Sequence, residues 1–372
     1  MDGAWTEMYR SGMASIRKRA SGDGGKWQVR YVDKDGRSRA KSFKRKSDAQ
    51  RYKSEMEADL ARGNWLDPDY ARESFGGVAM AWADYKLPRL KPTTRSGYEA
   101  LLRAHILPEF GSMPIGSIRP RHVEHFITKK ITGGLSRSRT AQAYRLLAQI
   151  LGAAVENEYI LKSPAAGIKP PRSARQEMHV LKAAEVSRLV FETPAEYQAL
   201  ILTLAYCGLR WGEAVALRRG RVDLLRKRLD VRESASEADG RLYFGPTKTY
   251  QARSAPLPGF LVEALSRHMT PNGEPEELVF TSSNGQPLRG SNFRPRVWFP
   301  ALERAELPRI RIHDLRHTCA ALLIDLKHSP KSIQTHLGHS SITVTLDTYG
   351  HLYKEEQDRI AASLDKVWAG AQ

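Results

Sequence analysis

The run from Ile312 to Tyr349, IHDLRHTCAALLIDLKHSPKSIQTHLGHSSITVTLDTY, most restricts what this chain can become. In HDLRHTCAALLIDL the apolar residues Leu315, Cys319, Leu322 and Leu326 recur at helical spacing, so that face is expected to be buried. His313 and Arg316, three apart, are neighbours on another face of the same helix. Pro330 and Lys331 open a second helix, and Gly338 is expected to end it in the left-handed conformation that glycine adopts cheaply. His339 then falls just outside a helix end. Ser340 or Ser341 can cap a third helix, with Tyr349 near its far end and Gly350 after it.

A permanently charged arginine fork grips phosphate at two points, and a tyrosine hydroxyl is a possible covalent nucleophile. Two histidines, an arginine and a tyrosine arriving together therefore suit phosphoryl transfer. Each alone reads equally well as a helix cap or a packing residue. The charge balance narrows the partner: 59 Lys and Arg against 41 Asp and Glu give +18, which favours a polyanion, nucleic acid first. No stretch approaches the roughly 20 apolar residues of a membrane span. The opening MDGAWTEMYRSGM has no apolar signal core, so the expected location is the cytoplasm, on the nucleoid. Cys207 and Cys319 lie in apolar helical contexts and read as buried thiols.

Three modules follow along the chain. In residues 1–70, KWQVRYV (Lys26 to Val32) alternates Trp27, Val29 and Tyr31 with polar neighbours as a half-buried strand. Asp33 to Gly36 turns, Arg37 to Phe43 returns as a second strand, and a polar helix runs from Ser47 to a stop at Gly63. Arg17, Lys18, Arg19, Lys26, Arg30, Arg37 and Arg39 crowd this small α+β unit, and a strand ribbon bearing arginines can enter a major groove. Residues 74–170 read as all-helical, with helices over 76–85, 93–106, 119–129 and 136–158 and a connection at Leu107-Pro108. There Lys91, Arg95, Arg137 and Arg139 can neutralise phosphates along a duplex. Residues 169–175, with consecutive prolines, read as an extended linker.

The third module, 178–372, is mainly helical with a small antiparallel sheet. The apolar LILTLAYC (Leu200 to Cys207) is a buried helix interrupted by Gly208, and Arg210 follows in a tight connection before the helix restarts near Glu213. Segments 227–233 and 241–245 alternate as strands, and Lys248 is expected at a hairpin tip before a further strand over 252–257.

Taken together, GLRWGE around Arg210, GPTKTYQARSAPL around Lys248, HDLRH at 313–317, LGHSS around His339 and LDTYGH ending on Tyr349 resemble the tyrosine site-specific recombinases, specifically the phage-type integrases. The helical module resembles their core-site DNA-binding domain, and the basic N-terminal module their arm-site DNA-binding domain. The resemblance implies that Tyr349 attacks a scissile DNA phosphate to give a 3′-phosphotyrosine. It implies that Arg210 and Arg316 hold the non-bridging oxygens, that His313 handles a proton and touches the phosphate, and that His339 bonds the same phosphate. Lys248 would protonate the leaving 5′-oxygen, and Glu213 would position its neighbours. Neither metal, ATP nor any other cofactor is implied, because the phosphotyrosine conserves the bond energy. The implied partners are core- and arm-type attachment DNA, a host DNA-bending protein, an excision factor and three further copies of the chain. In such a tetramer the C-terminal stripe Ile360, Leu364, Val367 and Trp368 would pack on a neighbouring protomer.

Two readings compete with this one. His313 and His317, four apart on a helix with His336 and His339 nearby, could bind zinc, but no glutamate follows His313 to make HExxH, and the arginines would repel a dication. The chain could instead be a DNA-binding regulator without chemistry. A type IB topoisomerase shares the chemistry but lacks this N-terminal arrangement.

Overall fold

The computed structural model describes residues 14–19, 26–32, 36–62, 66–172, 178–247, 252–270, 272–350 and 364–370. It divides into two units, Met1–Ala174 and Arg175–Gln372. The first unit contains two hydrophobic clusters.

The smaller cluster lies under an antiparallel sheet of order β1-β2-β3, with β1 at Ser15–Arg19, β2 at Lys26–Val32 and β3 at Ser38–Phe43. Strand alternation aims Trp27, Val29 and Tyr31 at helix α1 (Lys46–Ala61), where Ala49, Tyr52 and Met56 meet them. The expected hairpin is present. A third strand joins it: SIRKR reads as a basic run, yet it pairs along the free edge of β2 with Arg17 opposite Gln28. Gly63, the expected stop of α1, lies outside the described residues.

The larger cluster gathers α3 (Phe75–Lys86), α4 (Pro92–Leu101), α5 (Leu107–Phe110), α6 (Pro120–Thr132) and α7 (Arg137–Glu156), preceded by the short α2 (Pro68–Arg72). Phe110 stands between Phe75 and Phe126, with ring centroids 5.7 and 5.4 Å away. In α7, Ala143, Leu146, Leu147, Ile150, Leu151 and Ala154 repeat at three- and four-residue spacing and are all buried. Leu107-Pro108 is not the expected break. A π turn over Leu102–Ile106 leads directly into α5, and this widened turn takes in Pro108, which has no N–H to donate back along the helix.

In the second unit α8 (Ala183–Glu192), α9 (Ala195–Tyr206) and α10 (Trp211–Val215) lead into β4 (Val222–Asp223), β5 (Arg228–Val231), β6 (Glu233–Ala238), β7 (Arg241–Pro246) and β8 (Arg253–Pro256). Helices α11 (Gly259–His268), α12 (Gly290–Phe293), α13 (Phe299–Arg304), α14 (Asp314–Asp325), α15 (Pro330–Leu337) and α16 (Ile342–Tyr349) complete it. Helix α9 is apolar nearly all round because α8, α11 and α14 all pack on it.

The strands correct the sequence reading. The expected 227–233 strand is two: β5 lies between β4 and β8, while β6 pairs with β7. Thus β7 and β8 belong to different sheets and do not form the hairpin expected over 241–257. Alternation identifies which face of a strand is buried but not which strand it joins. A second correction concerns α14. Leu315 and Cys319 are buried as expected, but Leu326, at the helix C-cap, is 70% exposed, and Ala320 and Ile324 fill the core instead.

Candidate active site

The site in the second unit is assembled at the ends of helices α9, α10, α14, α15 and α16. Gly208 follows α9 at φ +61°, and a Cβ there would stand 2.5 Å from Leu337 Cδ2 and 3.2 Å from Cys319 Sγ. Glycine is therefore required twice, for its dihedral and for this close approach to α14 and α15. The approach delivers the Gly208 carbonyl to Arg316, whose Nη1 donates to it at 2.5 Å while Nη2 donates to the Leu337 carbonyl at 2.6 Å. Arg316 is 2% exposed. Burial, then the charges of Arg210 and Arg253, lower its pKa to about 9, so it remains a cation at neutral pH. A guanidinium has five N–H donors, which leaves capacity for a bound anion.

Arg210 caps α10. Glu213 accepts from the Arg210 backbone N–H at 2.9 Å and from its Nη1 at 2.7 Å, so one carboxylate fixes both the backbone and the side chain of the arginine. The same carboxylate accepts from Arg253 Nη2 at 2.7 Å and Nη1 at 3.2 Å. Burial opposes ionisation of Glu213, but the hydrogen bonds and charge of Arg253, with the amide and charge of Arg210, bring its pKa down to about 2. Arg253 was not anticipated. Ala255, two residues on and on the same strand face, is fully buried, so Arg253 points inward to this partner, which the sequence does not reveal.

His313 is the N-cap residue of α14. Burial, then His317, Arg316, Arg210 and Arg311, hold its pKa to about 4, although one side of the residue meets solvent. Helix α15 ends at Gly338 in the left-handed conformation, as expected, and Ser341 rather than Ser340 caps α16. His339 between them bonds Thr345 Oγ1 through Nδ1 at 2.9 Å and stacks on Tyr349, with ring planes 11° apart. Burial, then Arg316, Arg210, Arg253 and His317, keep its pKa near 4.

Tyr349 is 1% exposed, packed among Cys319, Ala320, Ile324, Ile333 and Leu337. Burial raises its hydroxyl to about 12 against the pull of Arg316. Its Oη lies 2.8 Å from His317 Nδ1, a contact that sequence reasoning missed. His317 was weighed there only as half of a metal pair with His313, and its ring now stands crosswise to that of His313, centroids 5.1 Å apart.

Arg210, Arg316, His313, His339, Glu213 and Tyr349 are thus gathered in one unit, on α10, α14 and α16 or at the ends of these helices and of α15. Lys248 lies outside the described residues, as do Ile360 and Tyr353, the tyrosine near Tyr349 that sequence alone offers as a rival nucleophile. Leu364, Val367 and Trp368 are exposed on a short helix over 364–369. Cys207 and Cys319 are free buried thiols.

The basic residues of the first unit are dispersed. Arg17 on β1 and Lys26 and Arg30 on β2 alternate with the residues that face α1, which puts them on the other face of the sheet. Arg19, on β1, pairs in register with Lys26. Lys18 is on the α1 side, 6.0 Å above the Trp27 ring. Arg39 bonds Asp67 and, at 2.7 Å, Asp69, so it ties β3 to the N-terminus of α2. Arg39, expected among the basic residues that meet DNA, is thus engaged within the first unit. Arg95 pairs with Glu99 one turn along α4, and Arg37, Lys91 and Arg137 are exposed. Arg139 bonds Gln142 within α7. No helix among the described residues is long and apolar enough to cross a membrane.

Comparison with known proteins gives two domain matches: the phage integrase family over residues 175–356, and the phage integrase N-terminal SAM-like domain over residues 78–131. A putative prophage phiRv2 integrase of Mycobacterium tuberculosis is 29% identical over 357 residues, covering 92% of this chain and 93% of the relative. The ICEBs1 integrase of Bacillus subtilis is 26% identical over 290 residues, 74% of this chain and 78% of its own. Among solved structures, the Tn1549 transposon integrase in complex with a circular intermediate DNA superposes with a TM-score of 0.67 at 21% identity, covering 77% of this chain and 99% of that one. A lambda integrase tetramer bound to a Holliday junction gives 0.57 at 16% identity, covering 88% and 96%.

Proposed function

Since this chain belongs to the phage integrase family, the tyrosine recombinases, we propose that it cleaves and rejoins DNA at specific attachment sites through a 3′-phosphotyrosine at Tyr349. The observation that carries this reading is the gathering of two arginines and two histidines about one buried tyrosine in a single unit. Arg210 and Arg316 grip the two non-bridging oxygens of the scissile phosphate. Both are held before DNA arrives, Arg210 by Glu213 and Arg316 by two backbone carbonyls, so little reorganisation remains when charge builds on the phosphorane. His313 and His339, neutral at physiological pH, hydrogen-bond the same group. Tyr349 Oη attacks phosphorus, the P–O5′ bond breaks, and Lys248 protonates the departing 5′-oxygen. Rejoining reverses these steps with a different 5′-hydroxyl, so neither ATP nor metal enters.

The open sheet face bearing Arg17, Lys26 and Arg30 takes arm-type DNA, and the helical module takes the core site. The chain acts as a homotetramer on paired sites, with the 364–369 helix reaching a neighbouring copy. It integrates phage or mobile-element DNA, and it acts in excision with an accessory factor and a host DNA-bending protein.

The test is recombination between two plasmid-borne attachment sites, with chelator present and nucleotide triphosphate absent. The reading expects joined product. Sequence-specific binding with no strand exchange would favour the non-catalytic regulator.

A further inference from the structure

When Tyr349 attacks phosphorus its hydroxyl proton must leave; the resemblance gives proton handling to His313, yet the imidazole nitrogen that meets the phenol is that of His317. We propose that His317 is a catalytic residue: its Nδ1 receives the Tyr349 proton during strand cleavage and returns it during rejoining. This rests on the recombinase reading above.

The geometry singles out His317. Its Nδ1 is 2.8 Å from Tyr349 Oη, within the range for direct transfer. His339 presents its ring face to the phenol, and its Nδ1 is engaged by Thr345. His313 lies against His317, whose own Nδ1 holds the tyrosine. An acceptor is needed, because a hydroxyl held near 12 is scarcely ionised at neutral pH. His317 is suited to the task. Burial and the charges of Arg311 and Arg316 disfavour its protonation, so the ring is neutral and in its Nε2–H tautomer offers the Nδ1 lone pair to Oη, while buried Asp314 opposes them and stabilises the imidazolium once formed. Asp314 is itself fixed, accepting the Arg311 backbone N–H at 2.7 Å and Nη2 at 2.7 Å. Arg311, Asp314, Arg316, His313, His339 and Tyr349 are thus the charged and titratable groups about this imidazole.

The balance closes. In cleavage the Oη–H bond breaks, its proton goes to Nδ1, the O–P bond forms, and the 5′-oxygen leaves with a proton from Lys248. In rejoining the 5′-hydroxyl attacks phosphorus and returns its proton to Lys248, the P–Oη bond breaks, and Tyr349 departs carrying the proton from the His317 imidazolium.

A merely positioning His317 would donate Nδ1–H to Oη, and an asparagine can copy that bond but cannot take a proton. The full-length chain is therefore given a nicked duplex made from its own element–host junction, with sulfur replacing the 5′-bridging oxygen. This leaving group needs no proton, so single-turnover adduct formation reports on the nucleophile alone. His317→Ala and His317→Asn should both cleave about 10²-fold more slowly at pH 7.5, in the range general-base catalysis supplies. Both should gain rate as pH rises toward the tyrosine pKa, imidazole added to His317→Ala should restore part of the rate, and DNA affinity should be unchanged. Near wild-type cleavage by His317→Asn, with Tyr349→Phe inactive, overturns this proposal alone. A wild-type chain that leaves the junction DNA uncut, or an adduct that survives in Tyr349→Phe, overturns the recombinase reading beneath it as well.

Discussion

Glu213→Gln removes one charge from the centre of the site. Four donors converge on the Glu213 carboxylate: the Arg210 amide and Nη1, and Arg253 Nη1 and Nη2. The residue is 2% exposed, so solvent does not screen these bonds. A fall in pKa from 4.5 to about 2 corresponds to about 3 kcal/mol of folding stability, the lower end of what breaking a buried ion pair costs. Because the folded value is depressed, the contribution is complete above pH 4.5 and is lost as pH falls toward 2. Glutamine keeps one acceptor oxygen, turns an NH2 toward the guanidiniums, and leaves two half-buried arginines without this anion. Calorimetry of the full chain at pH 7 should show the catalytic unit melting about 6–12 °C earlier, with the gap to wild type narrowing below pH 4.5. Strand cleavage should fall by about 10²–10³, the scale of losing one preorganised oxyanion donor, because Arg210 loses its anchor. A gap below 1 kcal/mol, or one that stays constant from pH 7 to pH 3, would refute the idea that Glu213 holds the two arginines as an ionised carboxylate.

Gly208→Ala forces a left-handed alanine against Leu337 and Cys319, and should cost about 2 kcal/mol or more by thermal melting while withdrawing the carbonyl that holds Arg316; a neutral substitution would contradict the close packing. His313, His317, His336 and His339 are all held below 6.5, so the folded chain resists protons that the unfolded chain accepts. Melting temperature should therefore be flat above about pH 6.5 and decline toward pH 4, and replacing His339 with Asn should flatten that decline. Arg39→Ala should loosen the first unit through loss of the Asp67 and Asp69 bonds while leaving the salt dependence of DNA binding almost unchanged; a salt slope reduced by about one would show that Arg39 contacts DNA phosphate.

The helix ends of the site were legible because their signals are local. Gly338 and Ser341 act where their own backbone preferences say they should, so the positions of His339 and Tyr349 followed from the chain itself. What was not legible depends on partners distant in sequence. Alternation marked the residues of β5, β7 and β8 but not their pairing, and the expected 241–257 hairpin was therefore wrong. Arg253 looked like any strand arginine until Glu213, forty residues away, met it. The His317–Tyr349 bond spans thirty-two residues and depends on how α14 and α16 pack, which spacing within HDLRH does not reveal. Leu326 failed for a different reason: periodicity continued to the helix end, but the core did not.

The central claim is that Tyr349, buried among two arginines and three histidines, becomes covalently joined to DNA. Its most direct test is denaturing electrophoresis of the chain after incubation with a nicked junction substrate and chelator, followed by mass spectrometry of the shifted band. The account predicts a nucleotide-bearing peptide that contains Tyr349, linked through a 3′-phosphate and absent in Tyr349→Phe. A DNA adduct mapping to Tyr353 or any other residue, or specific binding that never yields one, would contradict it.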